Sequence, residues 1–379
     1  MGRARVVVFA HDPGGARAVL KVIQDLQEKN NCQLRIFAEG PARKIYTDAG
    51  LMHRPVGEDC YAVLKRLKPE GFLSATSLSS PYDRAMLRAA RQLGIPSMAV
   101  VDFWGNYRRR FSDLTTPDSN GLECLPDRIC SIDYIMTQEM IQVGIPEDRI
   151  LETGQPVFDD LIEVNSEEGL HIRSRCRSTW MVDCEDVVLL YASQPIGFFY
   201  GEGPDNPKYV GFTEWEVSEI LLKTLDRLTT DSGRNIVLIL RPHPKEGRGY
   251  YESLVRRQRP FRVELDQMAN PYESILGADF VIGISSIILM EAALMNRVAI
   301  SMQPNLIGDD PLKSNISGLT FPAYTEEDAL RLITTGVNRL HDLESRLVSR
   351  LKRIPKPGNA AARIVESLFE MINNRFVQG

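Results

Sequence analysis

Two adjacent serines stand where an apolar run gives way to an apolar helical pattern. The run Phe280-Val281-Ile282 leads to Ser285 and Ser286, and the pattern predicts a helix over Ile287 to Met295. Free N–H groups and the positive dipole end at a helix start bind anions, and two hydroxyls would add donors for a diphosphate. Glu291, more than one turn into this helix, would accept hydrogen bonds from ribose hydroxyls. In the plainer interpretation a serine is only the N-cap and Glu291 is a solvated charge.

A cationic turn follows another apolar run. Arg241-Pro242-His243-Pro244-Lys245 comes directly after Ile236 to Leu240. The carboxyl ends of parallel strands share one edge of a sheet, so we expect this turn to lie near the serine pair. The prolines restrict its conformations. His243 would then donate to a phosphate or act as an acid or base, and Arg241 would stabilise a departing diphosphate. A surface histidine without such a role is the alternative.

The first apolar run of the chain ends in a polar, glycine-containing turn. Val6 to Phe9 is followed by His11, Asp12, Gly14 and Gly15 before a helical pattern. Paired glycines allow a ligand to approach the backbone, although they also serve an ordinary tight turn. His11 or Asp12 is the first candidate for a base that deprotonates an acceptor hydroxyl.

A carboxylate, aromatic residues and arginines follow a further strand pattern. Asp102 comes after Met98 to Val101 and is followed by Phe103-Trp104 and by Arg108 to Arg110. Aromatic faces stack on sugars, and arginine clusters pair with phosphates, so Asp102 is a second candidate base and the arginines are either ligands or a solvated loop. The apolar, glycine-rich segment from Ser193 to Gly203 is expected to be a cleft loop or lid.

These residues are positioned by two successive arrays of strands and helices. Short apolar runs bounded by turn residues suit strands buried on both faces, and their alternation with helical patterns predicts a doubly wound parallel sheet. This alternation of strand and helix patterns begins again after residue 165, which predicts two Rossmann-like domains. The strands of the two arrays are predicted at Val6–Phe9, Leu34–Phe37, Phe72–Leu73 and Met98–Val101, then at Val187–Tyr191, Ile236–Leu240, Phe280–Ile282 and Val298–Ile300.

The limits of the domains follow from the two successive arrays of strands and helices. We predict an N-terminal acceptor domain over residues 1–165, a polar linker over 163–177, and a C-terminal donor domain over 178–357. After Gly358-Asn359, apolar residues recur at helical spacing on one face, which predicts a terminal helix over 358–379 that packs across the domains. The residues of that face are Ala361, Ile364, Val365, Leu368, Phe369 and Ile372.

Composition excludes several classes of protein. No apolar run reaches the roughly 18 residues that span a bilayer, and the start of the chain leads into a strand rather than a signal-peptide core, so a cytoplasmic protein is expected. The six cysteines have neither a CxxC pair nor a metal-ligand spacing, and we expect them to be reduced and structural. No nucleic-acid-binding motif is present.

Charge is unevenly distributed along the chain. Residues 1–110 carry 18 Lys and Arg against 10 Asp and Glu, whereas residues 111–230 carry 8 against 23. The basic N-terminal region is either a set of solvated helix faces or a contact for an anionic acceptor or the inner face of a membrane. Peripheral membrane association and a homodimer are therefore expectations to be tested.

Several short motifs resemble one superfamily. They are Arg241-Pro242-His243-Pro244, Ser285-Ser286 with Glu291, and Thr153-Gly154-Gln155-Pro156-Val157-Phe158-Asp159. Together they resemble the GT-B group, which includes UDP-N-acetylglucosamine 2-epimerases, polysialyltransferases and CDP-glycerol glycerophosphotransferases. The Gly358-Asn359-Ala360-Ala361 start of the last helix is similar to the end of the epimerase family.

The resemblance implies a fold, a substrate and roles. The fold would be two Rossmann-like domains that face a central cleft, with His243 and the pair Ser285 and Ser286 on a nucleotide diphosphate and Glu291 on ribose. The donor would be a nucleotide-diphosphate sugar, most simply a UDP-sugar, bound as substrate without a cofactor. Members of this group act without a bound metal, and this sequence has no DxD-type metal motif.

The departures from the epimerase pattern favour transfer over epimerisation. The family's GTRPE turn is replaced by His11-Asp12-Pro13-Gly14-Gly15, its HVEAG pattern by Val101-Asp102-Phe103-Trp104-Gly105, and Ile287 and Ile288 take the place of glycines after the serines. The leading hypothesis is glycosyl transfer to a glycan or lipid-linked acceptor in polysaccharide biosynthesis. A hydrolysing 2-epimerase and a non-catalytic sugar-nucleotide binder are the alternatives.

Overall fold

Two parallel sheets form the framework of the protein in a computed structural model that describes residues 3–29, 32–57, 59–113, 121–354 and 358–378, without the side chains of 231, 232 and 375–378. The chain divides into one unit of Met1–Asp160 with Ile354–Gly379 and a second unit of Leu161–Arg353. The predicted doubly wound α/β class is confirmed. The boundary at residue 160 lies slightly before the predicted 165, and residue 357, the predicted end of the second domain, lies outside the described residues.

The first unit contains a six-stranded parallel sheet in the order β2-β1-β3-β4-β5-β6. The strands are β1 (Ala4–Ala10), β2 (Cys32–Ala38), β3 (Gly71–Ala75), β4 (Ser97–Val100), β5 (Arg128–Ser131) and β6 (Ile150–Glu152). The helices are α1 (Pro13–Lys29), α2 (Pro41–Asp48), α3 (Cys60–Leu67), α4 (Tyr82–Gln92), α5 (Tyr107–Phe111) and α6 (Tyr134–Gln142), with 3-10 turns at Glu147–Arg149 and Pro156–Asp160. Residues Val6 to Ala10 of β1 are buried, as expected of a strand covered on both faces.

The second unit repeats this plan with the order β12-β11-β10-β7-β8-β9. Its strands are β7 (Val187–Ala192), β8 (Ile236–Arg241), β9 (Arg262–Leu265), β10 (Phe280–Gly283), β11 (Ala299–Met302) and β12 (Phe321–Ala323). Its helices are α7 (Glu167–Thr179), α8 (Ile196–Tyr200), α9 (Glu214–Ser232), α10 (Arg248–Arg256), α11 (Pro271–Gly277), α12 (Ile287–Leu294), α13 (Lys313–Ile316) and α14 (Glu326–Leu351).

The predicted linker over residues 163–177 is wrong. Most of it forms α7, which starts at an N-cap where the Ser166 hydroxyl accepts a hydrogen bond of 3.0 Å from the Gly169 N–H. Cys176 and Trp180 are fully buried in the core of the second unit. In α7 the apolar Leu170 is exposed and the polar Arg177 is buried, so the sequence of this helix lacks an amphipathic pattern.

The C-terminal helix α15 (Ala360–Gln378) belongs to the first unit, and its predicted packing across the domains stays a prediction. Its apolar face was predicted correctly, because Ile364, Leu368 and Ile372 are buried in the core that also contains β1 and α1. A methyl group on Gly71 of β3 would come within 2.7 Å of Ile372 Cδ1, which shows how closely the helix approaches the sheet.

The carboxylate of Asp159 joins the Thr153–Asp159 motif to the Gly358–Ala361 motif at the start of α15. Asp159 accepts hydrogen bonds of 3.0, 2.9 and 2.8 Å from the N–H groups of Gly358, Ala360 and Ala361 at the start of α15. A carboxylate here satisfies donors that a helix start leaves free and complements its dipole. Arg363 also donates to the Thr153 carbonyl over 2.7 Å. These motif residues therefore anchor α15 to the first unit.

All six cysteines lie in the described part of the chain and are free thiols, as predicted, and only Cys184 is exposed. None of the helices within the described ranges is long and apolar enough to cross a membrane.

The packing of α7 gives a stability prediction. A methyl group on Gly277 would come within 2.5 Å of the Trp180 ring and 2.8 Å of Cys176 Cβ, so Gly277→Ala overpacks the core and should cost about 1–3 kcal/mol. The urea midpoint measures this loss. Gly249→Ala on α10 is the matched control because nothing lies within 4 Å of its added methyl group. Equal midpoints for both variants would contradict the packing of α7 in this core.

Candidate active site

Each sheet has a point at which its winding direction reverses. In the first unit β1 lies between β2 and β3, and in the second unit β7 lies between β8 and β10. The chain winds outward from these first strands in both directions. Ligands of open α/β sheets bind outside the carboxyl ends of the strands at such a switch point. In this protein the switch points are β1/β3 and β7/β10.

The serine pair lies at the β7/β10 switch point. Ser285 donates both its N–H, over 3.1 Å, and its hydroxyl, over 3.2 Å, to Oε1 of Gln194, which follows β7. We call Ile284, Ser285 and Ser286 the β10 turn. Gln194 stands inside the predicted lid segment, but the sequence analysis did not single it out. The feature of the sequence that points to Gln194 is its position just after the first strand of the second array.

Ser286 occupies the N-cap position of α12 with extended backbone angles, and its side chain makes no capping hydrogen bond. In the plainer interpretation this hydroxyl would cap the helix, and the structure shows that it does not. The first N–H groups of any helix lack partners inside the helix. The start of α12 thus presents a hydroxyl, backbone donors and the positive end of a dipole, which is the arrangement that binds phosphate groups.

The hydrogen bonds of His243 define its tautomer. Nδ1 accepts a hydrogen bond of 3.1 Å from the Lys245 N–H, so a neutral ring carries its proton on Nε2. The His243 N–H donates over 2.6 Å to Oε2 of Glu246. The ring is partly exposed, and within the described ranges no protein partner is recorded for Nε2. His243 therefore has an N–H donor for a ligand, on the strand next to β7.

A buried polar cluster connects the His243 turn with the end of β7. Oε1 of Glu246 accepts hydrogen bonds from the hydroxyls of Ser193, over 2.9 Å, and Tyr251, over 2.6 Å. Burial is the main reason that the pKa of Tyr251 is raised above its ordinary value, so the phenol stays a donor. Ser193 thus ties β7 to the His243 turn, while the next residue, Gln194, ties it to the β10 turn. Sequence analysis missed the roles of Glu246 and Tyr251.

Arg241 is engaged within the protein. Its Nη1 pairs with Asp266, whose side chain is 1% exposed, and also donates to the Met268 carbonyl over 3.0 Å. Ser274 gives a longer contact of 3.3 Å. Arg241 therefore braces the segment after β9. Its predicted contact with a departing diphosphate remains a prediction, and it would require the guanidinium to share these partners.

Glu291 lies on α12 and accepts a hydrogen bond of 3.0 Å from the Tyr272 hydroxyl. Burial raises its pKa above the ordinary value, and the Tyr272 bond opposes that shift only in part. The interpretation of Glu291 as a solvated charge is therefore wrong. A partly buried carboxyl group on the helix that follows the β10 turn suits the predicted contact with ribose hydroxyls, which stays a prediction.

His11 and Asp12 form a hydrogen-bonded pair at the β1/β3 switch point. His11 Nδ1 lies 2.8 Å from Asp12 Oδ1, which also accepts from the Ser79 hydroxyl over 2.6 Å. The Leu78 N–H donates to Oδ2 over 2.9 Å. Burial raises the pKa of Asp12, but the bonds from Ser79, His11 and Leu78 outweigh burial and leave it lowered. Asp12 thus holds the ring with Nδ1 protonated, and Nε2 of His11 becomes the basic atom.

Asp102 is paired rather than free. Its carboxylate lies 2.8 Å from Nη1 of Arg110, which is nearly buried and also donates to the Thr76 hydroxyl over 2.8 Å. Gln155, from the motif before residue 160, donates to the Asp102 carbonyl over 2.6 Å. The Arg110 of the predicted basic run is therefore structural. As a base, Asp102 would have to act while bound to a guanidinium.

The two glycines of the first turn allow protein elements to approach. A methyl group on Gly14 would come within 2.0 Å of the Asp102 carboxylate, and one on Gly15 within 2.8 Å of Ala75 Cβ. Both glycines lie in α1, where side chains would push the helix away from the ends of β3 and β4. Their predicted contact with a ligand remains a prediction.

Within the described ranges no group of three or more His, Cys, Asp or Glu side chains is arranged to hold a metal ion. The structure brings Ser285, Ser286 and His243 to neighbouring strand ends in the second unit. In the first unit it brings His11 and Asp12 together, and the Asp102 carboxylate lies against Gly14 of the same turn.

The fold is of the GT-B type, with two Rossmann-like units. No protein-family model matches the sequence, and no curated protein sequence is similar enough to match. Solved structures do match. The chain is similar to UDP-GlcNAc 2-epimerase from Neisseria meningitidis bound to UDP-GlcNAc, with TM-score 0.63 and 14% identity over 97% of this chain and 100% of the other.

Two further solved structures extend this likeness. MurG from Acinetobacter baumannii matches with TM-score 0.60 and 14% identity over 97% of this chain and 99% of the other. A glycosyltransferase from Rickettsia africae matches with TM-score 0.59 and 11% identity over 98% and 99%. At these identities the likeness establishes the fold, and the chemistry has to be argued from the residues.

The partly buried Glu291 carboxyl predicts a pH-dependent stability difference. Since its pKa is raised in the folded protein, its contribution to stability is present at low pH and is lost as the pH rises above the ordinary glutamate range. Glu291→Gln keeps an acceptor for Tyr272 but never ionises, so it should melt at a higher temperature than wild type at pH 7. The gain should shrink toward pH 4.5. An equal gain at both pH values would mean that ionisation is not the cause.

Proposed function

We propose that the protein is a glycosyltransferase that moves a sugar from a nucleotide-diphosphate donor to an acceptor hydroxyl. The observation that carries the proposal is a set of donors for which the described residues supply no partner. These are the Ser286 hydroxyl and the start of α12 after β10, and the Nε2–H of His243 after β8. Helix starts and imidazole N–H groups are suited to a diphosphate. The glycosyltransferase and the UDP-GlcNAc-bound epimerase that share this fold support a sugar nucleotide as ligand.

In the proposed reaction, the bond between the sugar C1 and the β-phosphate oxygen breaks, and a bond from the acceptor oxygen to C1 forms. The acceptor proton moves to Nε2 of His11, which Asp12 holds in the required tautomer. Negative charge grows on the leaving nucleoside diphosphate, where the donors of the β10 turn and His243 stabilise it. No step calls for a metal ion.

The UDP-sugar, the glycan or lipid-linked acceptor and a place in polysaccharide biosynthesis are parts of the same proposal. The basic character of residues 1–110 supports an anionic acceptor or a membrane surface, as the charge count indicates. A homodimer remains a prediction as well.

A hydrolysing 2-epimerase is the second candidate. The match to the Neisseria meningitidis epimerase over its full length favours it, since the two share the fold throughout. Such an enzyme would use the same diphosphate site but would need acid and base groups at the sugar instead of an acceptor hydroxyl. A non-catalytic sugar-nucleotide binder is the third interpretation, and it predicts binding without turnover.

The tautomer of His243 predicts how its variants bind nucleotide. Gln places an amide near the position of Nε2, whereas Asn places it near Nδ1, so His243→Gln should keep part of the UDP affinity that His243→Asn loses. A hydrogen bond to a charged group contributes about 1.5–3 kcal/mol, so the loss should be about 10-fold to 100-fold. Calorimetry with UDP, CDP and GDP measures it.

The exposed His341, on α14 of the same unit, supplies the control. His341→Asn should bind each nucleotide like wild type. If His243→Asn also binds all three nucleotides like wild type, His243 has no part in the site.

Product analysis separates the three candidate functions. With UDP-GlcNAc alone, the proposed transferase should release no N-acetylmannosamine, while transfer to added acceptors should be measurable by UDP release. His11→Ala should lower kcat by about 100-fold or more because it removes the base, with little change in UDP affinity. N-acetylmannosamine formed without an acceptor would establish the epimerase instead. Nucleotide binding with no turnover of any donor would support the binder.

A further inference from the structure

Two arginines lie on one side of α14 near its end. Arg346 and Arg350 are four residues apart, which places them on the same helix face, and Arg353 follows just after the helix ends. The first two converge on one aromatic ring, because the guanidinium carbons of Arg346 and Arg350 lie 5.0 and 4.9 Å from the centre of the Phe321 ring. Phe321 is buried at the start of β12, an edge strand of the second sheet.

The charges of Arg346 and Arg350 are not balanced by carboxylates. No Asp or Glu of the described ranges forms an ion pair with either guanidinium, and the recorded side-chain hydrogen bond of Arg350 goes to the Gly318 carbonyl. Burial, together with the charges of Arg346 and Arg353, lowers the pKa of Arg350 below its ordinary value. Like charges one helical turn apart repel each other. The positive charges of Arg346 and Arg350 are therefore available to bind an anion.

These arginines line a pocket of about 310 Å³. Its wall also contains Arg331, which pairs with Asp328 over 2.8 Å, and neutral residues that include Asn315 and Thr320. None of the described residues that line it is acidic. This volume lies near the lower end of the range of about 300–1,000 Å³ that is usual for small-molecule sites.

The neutral wall of the pocket is held in place by buried hydrogen bonds. The Thr320 hydroxyl bonds to the Ser314 hydroxyl, over 3.0 Å, and to the Asn315 side chain. The Asn315 amide in turn donates 2.9 Å to Ser301 and 2.8 Å to Asp310. A wall fixed in this way needs little reordering when a ligand binds, which favours affinity.

We propose that this pocket binds the phosphate group of a small phosphorylated ligand, at a site separate from the β10 turn. Guanidinium groups form paired hydrogen bonds with phosphate oxygens. The guanidinium groups of Arg346 and Arg350, both beside the Phe321 ring, carry the two positive charges that a phosphate dianion requires. The same chemistry would accept either a free phosphate compound or the phosphomonoester headgroup of a lipid. The proposal does not depend on glycosyl transfer. The lining residues flank the edge strand β12, two strands from β10, and the link to the β10 turn is indirect, through Ser301, which bonds both Asn315 and the Ile284 carbonyl.

The test uses inorganic phosphate and vesicles of phosphatidylcholine with and without phosphatidic acid. At constant ionic strength, phosphate binding to wild type is measured by calorimetry and by the rise in melting temperature. Arg346→Gln should weaken it by about 10-fold or more, as expected for the loss of a charged hydrogen bond, and Arg346→Lys should recover part of it. Arg256→Gln, which removes a charge from an exposed arginine of α10, should bind like wild type.

Stability without phosphate distinguishes a ligand site from a structural role. Since Arg346 lies in an uncompensated cluster, Arg346→Gln should melt at or above the wild-type temperature in phosphate-free buffer. A Ser285→Ala, Ser286→Ala double variant should keep this phosphate response, which separates it from the proposed donor site. Vesicle binding that requires both phosphatidic acid and Arg346 would identify a lipid headgroup as the source. Wild type that binds neither probe, or Arg346→Gln that binds both unchanged, overturns the proposal.

Discussion

A parallel sheet brings the carboxyl ends of all its strands to one edge, and in both sheets of this protein the winding direction reverses at the first strand. The helices that follow the two strands of the switch point cover opposite faces, so the space beyond those strand ends is left for a ligand. In the second unit, this constraint places Gln194 beside the β10 turn, and in the first it places Asp12 beside Ser79. The candidate chemistry of the chain depends on these two positions.

The polar groups at these edges divide into those that the protein uses and those that it leaves for a ligand. Arg241 pairs with Asp266 between the ends of β8 and β9, and Arg110, which pairs with Asp102 after β4, also donates to Thr76 after β3. Removing one partner of such a pair would leave a buried charge without compensation, which is costly. Ser286 and His243 instead have donors without protein partners in the described structure. In the sequence they cannot be told apart from the ion-paired residues, because all of them are polar residues that follow a strand.

Two neighbouring residues after β7 position the polar groups at the strand ends of the second unit. Ser193 reaches the Glu246 cluster that holds the His243 turn, and Gln194 reaches the β10 turn. The positions of the imidazole and of the serine pair are thus set by one strand between them. Hydrogen bonds of this kind position ligand-binding groups because each group has few alternative orientations. In the first unit, Asp12 has the corresponding role toward the His11 ring.

Much of the fold could be predicted from the sequence. The eight predicted strands follow from continuous apolar runs, since a strand covered on both faces has no polar side. Four strands escaped prediction, namely β5, β6, β9 and β12, and each has only three or four residues. β6 and β9 are also only partly buried at the sheet edges, where polar residues are tolerated. The helix α7 was taken for a linker because most of its surface is polar.

For the site, the sequence by itself determined which residue types follow each strand, because strand ends can be read from hydrophobic pattern. Only the tertiary structure decided which of those residues are available. The commitment of Arg241 to Asp266, the burial of Glu291 and the tautomer of His243 arise from partners far along the chain or from local turn geometry. Hydrogen bonding and desolvation depend on these partners, and neither is encoded in the spacing of residues.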